Sequence, residues 1–236
     1  MTKKLEGRLA LVTGASRGIG YSIALGFAKE GAHVIALART QGALEELDDE
    51  IRAIGGTATL VPTDLREFDA LDNLGATING RWGKLYILVG NAGVLGDLTP
   101  MSHMEPKVFQ ELMDVNVTAN YRLLRALDLP LRKSDAGRVI MVSSGASKGA
   151  RPFWGGYAIS KAALDMMINT YAEEMANTDV RVNLVNPGGT RTKMRAIAFP
   201  GEDPDTLPHP DELVDMFVEL ASPQCHKHGE WVQFKR

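Results

Sequence analysis

The sequence predicts one doubly wound α/β domain, a parallel sheet of about seven strands with helices on both faces. Short apolar runs alternate with longer runs of helical period along the whole chain. Those short runs are continuously apolar, as in strands buried on both faces, rather than alternating like a half-exposed sheet. No composition break or internal repeat divides residues 1–236, so a single domain is expected.

Each element follows from its own residues. Leu9–Thr13 is a compact apolar strand; Ile19, Ile23 and Phe27, four apart, then line one face of a helix. His33–Ala38 is a second buried strand, and Leu44, Leu47, Ile51 and Ile54 form a helical stripe closed by Gly55 and Gly56. Residues 59–62 make the third strand, followed by a helix on Phe68, Leu71, Leu74 and Ile78. Residues 85–90 and 139–143 are strands four and five. Between them Val108, Leu112, Val115, Ala119 and Leu123 describe one long helix. A second long helix runs over residues 157–177, a sixth strand over 180–186, a last helix through Leu213, Phe217 and Leu220, and a short strand over 231–234. Residues 194–210, with Gly201 and four prolines, are too long for an idle connection and are expected to be a functional loop.

Composition excludes several classes. Lys and Arg number 26 against 29 Asp and Glu, a net charge of -3 that offers no basic footprint for nucleic acid. The single cysteine, Cys225, rules out an internal disulfide and fits a reducing compartment. No uninterrupted apolar run is long enough for a membrane span, and residues 1–8 lack the apolar core of a secretory signal. A soluble, cytoplasmic protein is expected. Cys225, His226 and His228 are too few to make a zinc site and are expected to be surface tail, so no metal is predicted.

The first strand runs into Thr13-Gly14-Ala15-Ser16-Arg17-Gly18-Ile19-Gly20. Glycines at a strand-to-helix turn let backbone approach a pyrophosphate, which the helix N-terminus attracts. The spacing is G-x-x-x-G-x-G and not the G-x-G-x-x-G of the common dinucleotide fingerprint. The same residues contain a literal G-x-S-x-G, which raises a serine hydrolase with Ser16 as nucleophile. Only thirteen residues precede Gly14, leaving no room for the strands that would carry an oxyanion loop, so this alternative is disfavoured.

Charge after the second strand bears on which dinucleotide binds. An acidic residue there would hold the ribose hydroxyls of NAD and repel a 2′-phosphate. Arg39 stands in that place, and Arg17 adds a cation within the turn. Arginine bonds phosphate in a bidentate fashion, so NADP(H) is favoured over NAD(H).

Tyr157 and Lys161 lie four apart on one helix face. A tyrosine ordinarily titrates near 10, too high for a base at neutrality, and a nearby ammonium favours its phenolate. Ser143 and Ser144 close the fifth strand, and strand ends line the ligand crevice of an open sheet. A serine hydroxyl there can stabilise a developing alkoxide.

Residues 13–20, Asn91-Ala92-Gly93, Asn116, Ser144, Tyr157-x-x-x-Lys161 and Pro187-Gly188, in this order, resemble the short-chain dehydrogenase/reductase family. The resemblance runs from about Leu5 to Thr192 and implies a Rossmann-type fold. It implies Tyr157 as acid/base, Lys161 lowering its pKa and bonding the nicotinamide ribose, Ser144 as catalytic serine, and Asn116 holding a relay water. Ser144 is selected over Ser143 because it lies thirteen residues before Tyr157. For the cofactor it implies Gly14, Ser16, Arg17, Gly18, Ile19 and Gly20 at the pyrophosphate turn, Arg39 at the 2′-phosphate, and Asp64 and Leu65 at the adenine. Asn91, Ala92 and Gly93 would pack beside the cofactor, and Pro187, Gly188, Thr190 and Thr192 would hold the carboxamide. Gly90 departs from the pattern, since the family often has a second asparagine there.

The activity implied is hydride transfer between NADP(H) and a carbonyl or secondary alcohol; the alternative is an NADP-binding sensor or scaffold without turnover. A homodimer or homotetramer is implied, with residues 106–132 and 157–177 supplying one interface. Residues 194–210 are expected to form a lid over a neutral substrate. Met194, Ala196, Ile197, Ala198 and Phe199 would face a wall of Phe153 and Trp154, with Arg191, Lys193 and Arg195 solvated.

Overall fold

The structure, a computed structural model, describes residues 3–235. Seven parallel strands form one sheet in the order β3-β2-β1-β4-β5-β6-β7. They are β1 (Leu9–Thr13), β2 (His33–Ala38), β3 (Thr57–Pro62), β4 (Ile87–Gly90), β5 (Arg138–Val142), β6 (Arg181–Asn186) and β7 (Trp231–Gln233). Around them lie α1 (Gly18–Lys29), α2 (Gln41–Ala53), α3 (Phe68–Trp82), α4 (Pro106–Met113), α5 (Ala119–Arg132), α6 (Gly155–Met175), α7 (Lys193–Ala198) and α8 (Val214–Ala221).

The two-residue alternation of each strand sorts side chains between two cores. From β1, Ala10 and Val12 join Ile23, Phe27, Leu44, Leu47 and Phe217, which come from α1, α2 and α8. Leu9 and Leu11 join Leu71, Ile78, Leu123, Leu127 and Ile168 on the opposite face, from α3, α5 and α6. Among the described residues no helix is long and apolar enough to cross a membrane.

Strand order reverses between β1 and β4, and there a doubly wound sheet opens a crevice beyond its carboxyl ends. Thr13 closes the back of that crevice: its hydroxyl accepts the amides of Asn91 at 3.0 Å and Ala92 at 3.1 Å. The Asn91 amide group returns a bond to the Thr13 carbonyl at 3.0 Å.

Three expectations need correction. The long helix drawn through Val108 and Leu123 is interrupted by a π turn over Asp114–Thr118, which separates α4 from α5. Such turns favour functional positions because they re-aim a side chain, and this one carries Asn116. The connection at 194–210 holds α7, a short helix that Thr192 caps through its hydroxyl, 3.1 Å from the Arg195 amide. The Cys225–His228 stretch is not free tail. Cys225 is buried, and its carbonyl accepts from buried Arg138 at 3.1 Å. His228 joins the Val182 amide at 3.2 Å to the Ala172 carbonyl at 2.9 Å. Packing against β6 and α6 occupies the polar atoms that a surface tail would leave to water.

Candidate active site

One cleft of about 1190 Å³ runs from the glycine turn to the start of α6. Its first half is framed by backbone. Gly14 and Gly18 have φ values of 67° and 56°, left-handed conformations that glycine adopts freely. A Cβ on Gly20 would sit 2.3 Å from the Gly14 carbonyl oxygen and 2.4 Å from Asn91 Nδ2, so this turn closes only without side chains. Arg17 precedes α1 in an extended conformation and gives the helix no side-chain cap, while Ser16, Arg17, Gly18 and Ile19 line the cleft.

Exposed Arg39 follows β2, with its guanidinium 3.8 Å from Asp64. Arg66 grips the same carboxylate with two bonds of 2.8 and 3.2 Å, and holds it at about 2, well under the usual carboxylate range. Leu65 lines the cleft beside it. Gly90 departs from the family for a local reason: Met141 fills the space a side chain would need, its sulfur 2.0 Å from a Cβ built there.

The second half is made of side chains. Tyr157 is buried against Leu95 and Leu112. Burial pushes the phenol above its ordinary value, against the weaker pull of the neighbouring Ser144 hydroxyl toward the phenolate. Lys161 is also buried and donates to the Val142 carbonyl at 2.8 Å. Burial drags its ammonium down to about 8 against the opposing charge of Asp165. The Lys161 ammonium lies 5.9 Å from the centre of the Tyr157 ring.

Asn116 is fully buried and staples the loop after β4. It accepts from the Val94 amide and donates to the Val94 carbonyl, each at 2.9 Å, and its amide group also reaches Ser160 Oγ at 2.9 Å. Ala92 and Gly93 lie between Asn91 and this staple on the cleft wall. On the far side Pro187, Gly188, Thr190 and Thr192 line the cleft. Thr190 spends its hydroxyl on the Pro187 carbonyl at 3.0 Å, and Thr192 packs 3.5 Å from the position of a Gly18 Cβ.

The substrate end differs from expectation in three ways. Phe153 is exposed, with φ 72°, and leaves Trp154 alone to face the cleft. Trp154 packs edge-on to Tyr157 at 6.0 Å and tilted against Phe199 at 5.6 Å. Ile197 and Ala196 point outward, while Met194, Ala198 and Phe199 line the cleft. Arg195 is not solvated: it holds Glu202 at 2.5 and 2.6 Å and lies 3.7 Å over the Phe199 ring. Arg191 meets Asp205 at 3.2 Å. Two carboxylates of the segment, Glu202 and Asp205, therefore pair with Arg195 and Arg191.

Sequence reasoning missed the Ser143–Asp165 contact and the bonds by which the Thr13 hydroxyl holds the Asn91 and Ala92 amides. Among the described residues no group of three or more His, Cys, Asp and Glu side chains is arranged to hold a metal ion.

A sheet with this strand order, a glycine turn at its switch point and a Ser–Tyr–Lys cluster beyond β5 defines a nucleotide-binding oxidoreductase fold. The short chain dehydrogenase family profile matches residues 8–203, and the chain belongs to that family. The uncharacterised oxidoreductase YciK of Escherichia coli (strain K12) is 39% identical over 219 residues, covering 92% of this chain and 86% of that protein. A short chain dehydrogenase from Salmonella enterica serovar Typhi superimposes with a TM-score of 0.95 at 37% identity, covering 99% of this chain and 98% of that one. Another, from E. coli CFT073 and solved in complex with NADPH, gives a TM-score of 0.92 at 38% identity over 99% of this chain and 98% of that one. Family membership sets aside the serine hydrolase alternative for Ser16.

Proposed function

We propose that the protein is an NADP(H)-dependent carbonyl reductase or alcohol dehydrogenase that uses Tyr157 as its proton donor and acceptor. The observation that carries this reading is the convergence of Ser144, Tyr157 and Lys161 on one wall of the cleft, with Lys161 buried one turn beyond Tyr157 on α6. It sits in the same cleft as the glycine turn.

The residues fit a dinucleotide. Gly14 and Gly18 bring bare backbone to the cleft, Gly20 lets the turn close tightly behind them, and α1 begins there without a side-chain cap. Arg17 and Arg39 would hold a 2′-phosphate, and no carboxylate stands directly after β2 to repel it. The NADPH in the E. coli CFT073 relative supports this choice over NAD(H). Asp64 and Leu65 would border the adenine, Asn91, Ala92 and Gly93 the adjoining ribose, and Pro187, Gly188, Thr190 and Thr192 the carboxamide. When bound, the nicotinamide supplies or accepts the hydride.

The remaining chemistry belongs to the chain. Ser144 Oγ–H donates to the carbonyl oxygen as negative charge grows there. Tyr157 Oη delivers its proton to that oxygen during reduction and takes it back during oxidation. Lys161, as an ammonium, stabilises the tyrosinate left behind and replenishes its proton. Asn116 holds the wall on which this arrangement rests. Leu95, Trp154, Met194 and Phe199 make an apolar chamber suited to a neutral carbonyl compound, with residues 194–210 as its cover.

We also assign one interface between copies of the chain to α5 and α6. These helices expose Tyr121, Leu129, Ile159 and Met166 to solvent.

Following NADPH absorbance with a panel of neutral aromatic and aliphatic ketones tests the activity. Turnover that needs Tyr157 supports it. Tight NADPH binding without turnover of any carbonyl or alcohol would replace it with the sensor reading.

A further inference from the structure

Asp165 is a buried carboxylate one helical turn beyond Lys161, on the same face of α6. Its side chain is 5% exposed, and three groups converge on it. Ser143 Oγ donates to Oδ1 in a short hydrogen bond, Ser147 Oγ lies 2.6 Å from Oδ2, and Lys148 Nζ lies 3.3 Å from Oδ2. Ser147 Oγ is also 2.8 Å from the Ser144 carbonyl, so its one proton serves either oxygen. These donors all come from the loop that carries Ser144, and they flank it on both sides.

Burying an ion is costly unless its lone pairs are satisfied and its charge is used. A hydroxyl anchor alone needs no charge, since an asparagine would also accept from the serines. The charge also acts across one helical turn on Lys161, without an ion-pair contact. That ammonium is buried, and among the described residues the acceptor it bonds is the neutral Val142 carbonyl. From the other elements around it come uncharged groups, Asn116 on the π turn and Gly93 after β4. Tyr157 shares its helix, and Lys148 reaches Asp165 from the loop after β5. Asp165 is the carboxylate whose charge supports the Lys161 ammonium against burial.

We infer that Asp165 is a positioning residue of the proton-transfer site: it fixes the loop so that Ser144 meets Tyr157, and it provides the counter-charge for Lys161. The catalytic part of this inference rests on the function proposed above, but the electrostatic part concerns the chain alone.

The test compares wild type with Asp165→Asn, Asp165→Glu and Lys148→Met. Nitrogen-15 NMR titration of lysine ammonium groups, in protein without cofactor, gives the midpoint of Lys161. In Asp165→Asn it should fall by about one pH unit, and in Asp165→Glu it should stay near wild type. In Lys148→Met it should rise, because an exposed cation competing for Asp165 is gone. That variant keeps the test decisive even if Asp165→Asn fails to fold. NADPH-dependent reduction rates against pH form the second readout. Asp165→Asn should lower kcat and move the alkaline limb to lower pH, whereas a purely structural anchor would lower the rate without moving the limb. Lys161 midpoints unchanged in Asp165→Asn and Lys148→Met would overturn the inference. Shifted midpoints in a wild-type protein that reduces no carbonyl would instead defeat the function proposed for the site while leaving the Asp165–Lys161 coupling in place.

Discussion

Around the ends of β1 and β2 the cleft is walled by backbone and by cations that reach into solvent. Gly14, Gly18 and Gly20 shape it, and Arg17 and Arg39 stand exposed at its edge. Beyond β5 the cleft is walled by side chains from separate segments, half-buried Ser144 from a loop and buried Tyr157 and Lys161 from α6, with buried Asn116 of the π turn bracing the wall from behind. The first arrangement suits a ligand whose charge and shape are constant. The second suits a reaction in which a proton moves, because burial leaves the phenol and the ammonium poised by their neighbours and little buffered by water. Damage to one half should therefore appear in binding, and damage to the other in turnover.

Tyr157→Phe is the strongest challenge to that division. It removes the proton donor and leaves the ring packed on Leu112 and Leu95. The expected loss in kcat is about 10³-fold, with NADPH affinity near wild type by fluorescence titration. A rate within a few-fold of wild type would remove Tyr157 from the chemistry. Gly20→Ala should do the opposite. Its Cβ would lie 2.3 Å from the Gly14 oxygen, so the turn must open. NADPH should bind about tenfold more weakly or worse, while kcat at saturating cofactor changes little. An unchanged dissociation constant would mean that the turn does not carry the cofactor.

The same contrast explains what could be read from the chain alone. The bounds of β1 and β2 match their apolar runs residue for residue, because central parallel strands are buried on both faces and cannot alternate. The glycine turn was legible for a related reason: only glycine meets its steric demands, so the constraint is written in residue type. The substrate half was legible where spacing along one helix suffices, as for Tyr157 and Lys161. It was not legible where the topology brings distant residues together. Ser143 and Asp165 are 22 positions apart, and neither has a local pattern that names the other. α7 escaped notice because six residues show too little periodicity, and its support is a threonine cap and the Arg195–Glu202 pair. The π turn is invisible to a 3.6-residue period, since it adds a residue without changing the apolar character of the helix.

Arg39→Asp sharpens the comparison on the cofactor side. Replacing this exposed cation by an anion should lower the ratio of NADPH to NADH affinity by roughly tenfold or more. Dissociation constants for both dinucleotides check it, and kcat with saturating NADH should remain substantial. An unchanged ratio would show that Arg39 points away from the 2′-phosphate and that Arg17 carries the preference.

The smallest effect concerns Asp64, where the cofactor half keeps its one strongly perturbed carboxylate. Arg66 bonds it through two nitrogens, and Arg39 adds a weaker attraction; together they bring it from 3.8 to about 2. A folded-state value below the unfolded one means that the ionised form stabilises the fold. The contribution is complete above the unfolded value near 3.8 and disappears as pH falls through about 2. The side chain is 21% exposed and Arg66 is 44% exposed, so solvent screens the pair, and about 1 kcal/mol is expected rather than the full value of the shift. Asp64→Asn should therefore lower unfolding free energy by about 1 kcal/mol at neutral pH, measured by urea denaturation. The gap between variant and wild type should hold down to about pH 5 and narrow as pH drops below 4. Because the interaction is exposed, raising the salt concentration should also shrink the gap, unlike any difference seen in the buried Asp165 variants. A gap that stayed constant across pH and salt would mean that Asp64 acts by shaping the loop after β3, and the cofactor half would then depend on side-chain geometry as much as the substrate half does.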